Sequence, residues 1–159
     1  MEPRLNIFAS TTAVGFVKRL VAAHAPLATS GLPAATQELV KIRASQINGC
    51  SGCLDMHTKE AAAAGETPQR LMLVAAWREA KVFTEAERAA LELTEAGTRL
   101  ADGAGVSDEV WANAAKHYDE EQLAALVCLI AGINTFNRLN AIVRQPGGDY
   151  EVGMKSPLE

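Results

Sequence analysis

Nowhere in this 159-residue chain do apolar and polar residues alternate as a strand requires. The periodicity is helical throughout, punctuated by residues that start and stop helices. Thr11 to Ala28 predicts a first helix, with Val14, Val17, Leu20, Val21 and Leu27 as its apolar stripe and Pro26 ending or bending it. Gly31-Leu32-Pro33 is a break, and a second helix runs from about Ala34 to Ile47, stopped by Asn48-Gly49. A third spans Cys50 or Ser51 to Ala64, with Gly65 as its cap. Thr67-Pro68 opens a fourth, to about Lys81. Thr84-Glu85-Ala86-Glu87 has the form of a capping box and opens a fifth, to about Ala101. Ser107-Asp108-Glu109-Val110 begins a short sixth, and a seventh runs from about Glu120 to Val143. The tail, about 145–159, reads as extended and flexible. No repeat of fixed period and no long linker interrupts this series. Residues 1–159 therefore predict a single all-α domain of six or seven helices.

Charge narrows the partners. Fifteen basic residues stand against 19 acidic ones, a net −4, and no basic cluster is present. Nucleic acid and anionic membrane surfaces are poor partners for such a chain. Met1 to Phe8 shows no basic region followed by a long apolar stretch, so no signal peptide is expected. The longest apolar run, Leu123 to Ile133, is too short to span a bilayer. A cytoplasmic chain is the expectation. In that compartment thiols are kept reduced, so closely spaced cysteines point to catalysis or metal binding rather than to a static crosslink.

Two of the three cysteines lie in Asn48-Gly49-Cys50-Ser51-Gly52-Cys53-Leu54-Asp55-Met56-His57. If a helix starts near Cys50, then Cys50, Cys53 and His57 share one face. A thiol at a helix N-terminus meets unpaired backbone N–H groups and the positive end of the helix dipole, and both favour thiolate. His57 can take or return a proton. A thiol redox pair is one reading of this pattern. Zinc is another, with a fourth ligand drawn from Glu38 or Cys128. A third is a pair of inert, packed cysteines beside a solvated histidine. Attachment of c-type haem is excluded, because Leu54 and not histidine follows Cys53. A thioredoxin scaffold is excluded too, since the segment before the motif, Glu38 to Ile47, reads as helix.

Glu38-Leu39-Val40-Lys41-Ile42, Ser45-Gln46-Ile47-Asn48-Gly49-Cys50-Ser51-Gly52-Cys53 and His57 together resemble the core of the alkyl hydroperoxidase D-like proteins of the carboxymuconolactone decarboxylase superfamily. Glu38 stands twelve residues before the first cysteine and His57 four after the second, as in that family's motif. The resemblance continues through Trp77-Arg78, Phe83 to Arg88, Ile133-Asn134 and Asn137 to Asn140, covering about residues 30–148. It implies an all-α fold assembled as trimers or hexamers. It also implies a cofactor-free peroxidase or disulfide reductase whose cysteines cycle between dithiol and disulfide. By that analogy Cys53 attacks the peroxide, Cys50 resolves, and Glu38 and His57 relay protons. A thiol or lipoyl-protein reductant would supply the electrons. The superfamily's decarboxylase branch works without the cysteine pair. One departure stands out: well-studied members carry histidine, and many others an aromatic residue, where this chain has Gly52.

Other residues read more plainly. Cys128, within Leu126-Val127-Cys128-Leu129-Ile130, is expected to be a buried core thiol. His24 and His117 are expected at the surface or at caps, and Trp77 and Trp111 in the core or a subunit interface. The seventh helix is apolar on nearly every side, which predicts a central helix or one shared in a homo-oligomer. Asn134, Asn137, Arg138 and Asn140 are unusually numerous for such a helix.

Overall fold

The computed structural model describes residues 2–154, and within them every regular element is helical. Seven α-helices follow in order: α1 (Thr11–Ala23), α2 (Ala34–Asn48), α3 (Ser51–Ala63), α4 (Pro68–Leu73), α5 (Glu85–Thr98), α6 (Asp108–Ala115) and α7 (Glu120–Val143). Short 3-10 turns cover Ile7–Ala9, Ala25–Thr29 and Val74–Ala76. The starts are where capping chemistry puts them. The hydroxyls of Ser10, Thr67 and Ser107 each accept the N–H three residues on. Thr84 with Glu87, and Asp119 with Gln122, form reciprocal capping boxes.

α2 is the hub, packed against α3, α5 and α7. Leu39, Val40, Ile42, Ala44 and Ser45 are all fully buried, on several sides of one helix. Val40 joins Ala90, Leu93, Leu126, Leu129 and Ile130 in one apolar cluster; Leu39 and Ile42 join Val74, Trp77, Phe83 and Leu91 in another. α7 is long and apolar enough to pass as a membrane span, but Leu126, Leu129, Gly132, Ile133 and Asn137 are buried against the rest of the domain.

Four expectations change. The first helix ends at Ala23, short of Ala28, and Pro26 lies in the 3-10 turn that follows. The fourth helix stops at Leu73, well short of Lys81. The Arg88 guanidinium donates to the carbonyls of Trp77, Arg78 and Ala80, and Trp77 Nε1 donates to Glu95, so side chains from α5 hold this stretch in turns. Cys128 is exposed, not buried. On α7 residues 125, 126, 129, 130 and 133 face the core, while 124, 127, 128 and 131 face solvent. The tail is not loose over 145–154: Gly148 and Tyr150 donate their N–H groups to Asp55, and Tyr150 Oη and the Gly153 N–H both donate to Glu60. The remainder of the expected flexible tail, 155–159, lies outside the described residues.

Candidate active site

No linker separates α2 from α3. Gly49 ends α2 in the left-handed region, at φ 65°, and a β-carbon there would meet nothing; the glycine serves its backbone angle, not a need for room. The reversal leaves Cys50 as the N-cap of α3, its own N–H returning to Ser45 O at 3.0 Å. Cys50 Sγ accepts the Cys53 N–H at 3.3 Å, the bond a serine would make in that position. The two cysteines are bridged, with Cα atoms 5.4 Å apart, and each is only 2% exposed.

His57 follows Cys53 by one turn and is 9% exposed. Its Nδ1 lies 2.9 Å from Glu38 Oε2, across the α2–α3 contact. A carboxylate partner requires the proton on Nδ1, which leaves Nε2 free to take another. Glu38 Oε1 accepts from Lys41 Nζ at 2.7 Å. Burial works to raise the Glu38 carboxyl, but the bond and charge of His57, joined by Lys41, outweigh it and hold the group below its ordinary value. Cys53 and His57 both line a cavity of about 400 Å³, shared with His24, Lys41, Asn140 and Tyr150 and otherwise walled by apolar side chains such as Met56, Ile133 and Phe136. The four residues singled out by spacing thus meet as two contacts, Cys50 with Cys53 and Glu38 with His57, and one member of each, Cys53 and His57, borders the same cavity. Among the described residues no hydrogen bond joins His57 to either sulfur.

Asn140 is the residue that spacing did not assign. Its Nδ2 donates to Cys53 Sγ at 3.3 Å and approaches Cys50 Sγ at 3.7 Å. The other asparagines hold α7 in place beneath it. Asn48 Nδ2 donates to Asn134 and Asn137, both at 2.9 Å, and Asn137 Nδ2 donates to Ser45 Oγ at 3.0 Å. Asn137 is fully buried, where such amides must be paired. The signal was present in the sequence as polar residues at helical spacing on an apolar helix.

The tail accounts for Gly52. A β-carbon there would lie 3.5 Å from Pro146 O and 3.7 Å from Gln145 Cγ, so a ring at this position would meet the tail backbone. Gly147 in turn passes so near Ser51 that a β-carbon would lie 2.4 Å from its carbonyl oxygen. Backbone from 145–147 fills the space a larger residue 52 would occupy. Neither fourth ligand considered for zinc completes a site. Glu38 is engaged with His57 and Lys41, Cys128 faces solvent on α7, and among the described residues no group of three or more His, Cys, Asp or Glu is arranged to hold a metal ion. His24 caps α1 through Nδ1 to Leu20 O at 2.8 Å and also lines the apolar cavity, while His117 is exposed.

Comparison with known proteins bears on the family and the fold. Residues 15–96 match the carboxymuconolactone decarboxylase family. The uncharacterized protein YdfG of Bacillus subtilis is 46% identical over 111 residues, 70% of this chain and 75% of its own. YnjA of Escherichia coli, also uncharacterized, is 31% identical over 117 residues, 74% of this chain and 63% of its own length. Among solved structures, an Agrobacterium tumefaciens protein of unknown function, suggested to be the antioxidant defence protein AhpD, superposes with TM-score 0.85. It is 34% identical, and the match covers 94% of this chain and all of that one. The debrominase Bmp8 shares the fold, with TM-score 0.71 at 22% identity over 86% of this chain and 75% of its own.

Proposed function

The chain belongs to the carboxymuconolactone decarboxylase family as an alkyl hydroperoxidase D-like member, and we propose that it is a thiol-dependent peroxidase that cycles Cys50 and Cys53 between dithiol and disulfide. The observation that carries this reading is the bridged pair at the N-terminus of α3, beside a cavity that holds His57 on its Glu38 partner.

In the reduced state the Cys53 thiolate attacks one peroxide oxygen. The O–O bond breaks, and the departing alkoxide takes a proton from His57. Cys53 becomes a sulfenic acid. Cys50 then attacks that sulfur, the S–O bond breaks, water leaves and the disulfide forms. The Glu38 carboxylate stabilises the charged imidazole between steps, so the proton has a holding place on the cavity that the reacting sulfur also borders. The electrons return from a thiol or lipoyl-type reductant. We place the protein in the cytoplasm as a homo-oligomer, a trimer or hexamer.

Titrating free thiols before and after stoichiometric peroxide tests the reading. A Cys128→Ser background confines the count to the Cys50–Cys53 pair, since Cys128 is the chain's third thiol. Loss of two thiols per chain is expected, and an unchanged count would overturn the proposal.

A further inference from the structure

The two sulfurs open on different cavities. Cys53 borders the apolar one with His57. Cys50 borders a second, of about 320 Å³, between the start of α3 and the end of α7. Asn140 lines both. Among the described residues the only ionisable side chain on the second cavity's wall, apart from Cys50, is Arg144, the left-handed C-cap of α7, and among them it has no ion-pair partner. Gln145, Pro146 and Gly147 complete that wall and are half-buried or exposed, so the cleft lies against the surface.

Taking the peroxidase reading as its premise, we propose that the half-reactions are served from opposite sides of the pair: the peroxide reaches Cys53 through the apolar cavity, and an anionic thiol reductant reaches Cys50 through the Arg144 cleft. A thiolate is the attacking species in disulfide exchange, and a cation at the cleft raises its local concentration. Entering the apolar cavity would instead strip the anion of its water. The reductant thiolate bonds to Cys50 Sγ, the Cys50–Cys53 bond breaks, and the electron pair leaves on Cys53, where the Asn140 N–H is already in place. A second reductant thiolate attacks the reductant sulfur of the mixed disulfide and releases Cys50. Two electrons pass to the pair, and the two protons the thiols gave up return to its sulfurs. Cys53 is thereby the leaving sulfur of one half-reaction and the attacking sulfur of the next.

The oxidised protein in a Cys128→Ser background is reduced with 2-mercaptoethanesulfonate or with neutral 2-mercaptoethanol, and the rates are compared per thiolate. The anionic thiol should be the faster. In Arg144→Glu its advantage should fall by roughly three- to tenfold, and Arg144→Lys should retain it. Oxidation of the prereduced Arg144→Glu protein by cumene hydroperoxide should be unchanged. Met56→Trp, which fills the apolar cavity, should slow that oxidation and leave thiol reduction as it was. An unchanged rate ratio in Arg144→Glu, or equal slowing of both half-reactions by Met56→Trp, would overturn the proposal. The thiol assay contains no peroxide, so a protein that peroxide never oxidises would sink the peroxidase reading while the rate ratio still reports on the cleft.

Discussion

Glu38 is a residue whose meaning depends on one distance. At 2.9 Å from His57 it is a carboxylate held ionised by a buried imidazole and a lysine; without that contact it would be an ordinary helix residue. Glu38→Gln and His57→Gln should slow peroxide reduction by about 100-fold, the lower end for acid–base groups, because α3 already favours thiolate. Steady-state turnover with cumene hydroperoxide checks this, and wild-type rates in both variants would return the two residues to structural roles. Stability should follow the same carboxyl. Its pKa in the folded state lies below the ordinary 4.5, so its stabilisation is complete above that value and is lost as pH falls through the lower one. Glu87 and Glu95 are shifted the same way. Burial opposes both, but Arg70 outweighs it at Glu87, and Arg78, Trp77 and Arg43 outweigh it at Glu95. The urea midpoint should therefore drop below about pH 4.5, and less steeply in Glu38→Gln. Asn140 acts on the sulfur itself. In a chain with Cys53 as its only cysteine, Asn140→Leu should raise the thiol pKa by about one to two units, read from thiolate absorbance, since a hydrogen bond to a charged group is lost. An unmoved titration would make Asn140 a bystander.

At the scale of elements, the tail is bound to α3 through two carboxylates, Asp55 and Glu60, and Asp55 takes the two backbone N–H groups nearest the end of α7. Asp55 accepts from Lys59 and from the N–H groups of Tyr150 and Gly148, which bring its pKa down to about 2. Asp55→Ala should remove the hydrogen-exchange protection of the Gly148 and Tyr150 amides. In the wild type those amides should shift with a midpoint near pH 2, the clasp being complete above the ordinary 3.8 and lost on acidification. Protection that survives Asp55→Ala would show that Glu60 and Lys59 suffice. The contrast with the helices shows what a sequence of this kind reveals. Helix starts were legible because Thr67, Thr84, Ser107 and Asp119 carry their own hydrogen-bond acceptors to positions three residues away. The end of α4 was not, because Arg88 and Glu95, more than ten residues downstream, decide it. Glu38, Cys50, Cys53 and His57 were legible through fixed offsets within two adjacent helices. The parts played by Asn140 and the tail were not, since Asn140 reaches Cys53, and Gln145 reaches Ser51, across roughly ninety residues of chain.

For the whole molecule, the informative surface is the outer side of α7. Ala124, Val127, Cys128 and Ala131 recur at i, i+3, i+4 and i+7 and all face solvent, on a helix whose opposite side is the core. Beside them Trp111, Leu100 and Val106 are exposed around a groove of about 460 Å³. A second copy of the chain covering this face would remove from water the apolar stripe that one domain cannot bury. The wild type should then have a mass of three or six chains by light scattering. Val127→Glu or Trp111→Glu should reduce it to one chain with helicity retained, because both side chains sit outside the core. Cys128 provides the internal check. It is exposed in the single chain, so in the assembly it should resist alkylation, and in the Glu variants it should react at the rate of a free thiol. A monomeric wild type with Cys128 freely alkylated would leave the stripe as bare surface and end the assembly proposal.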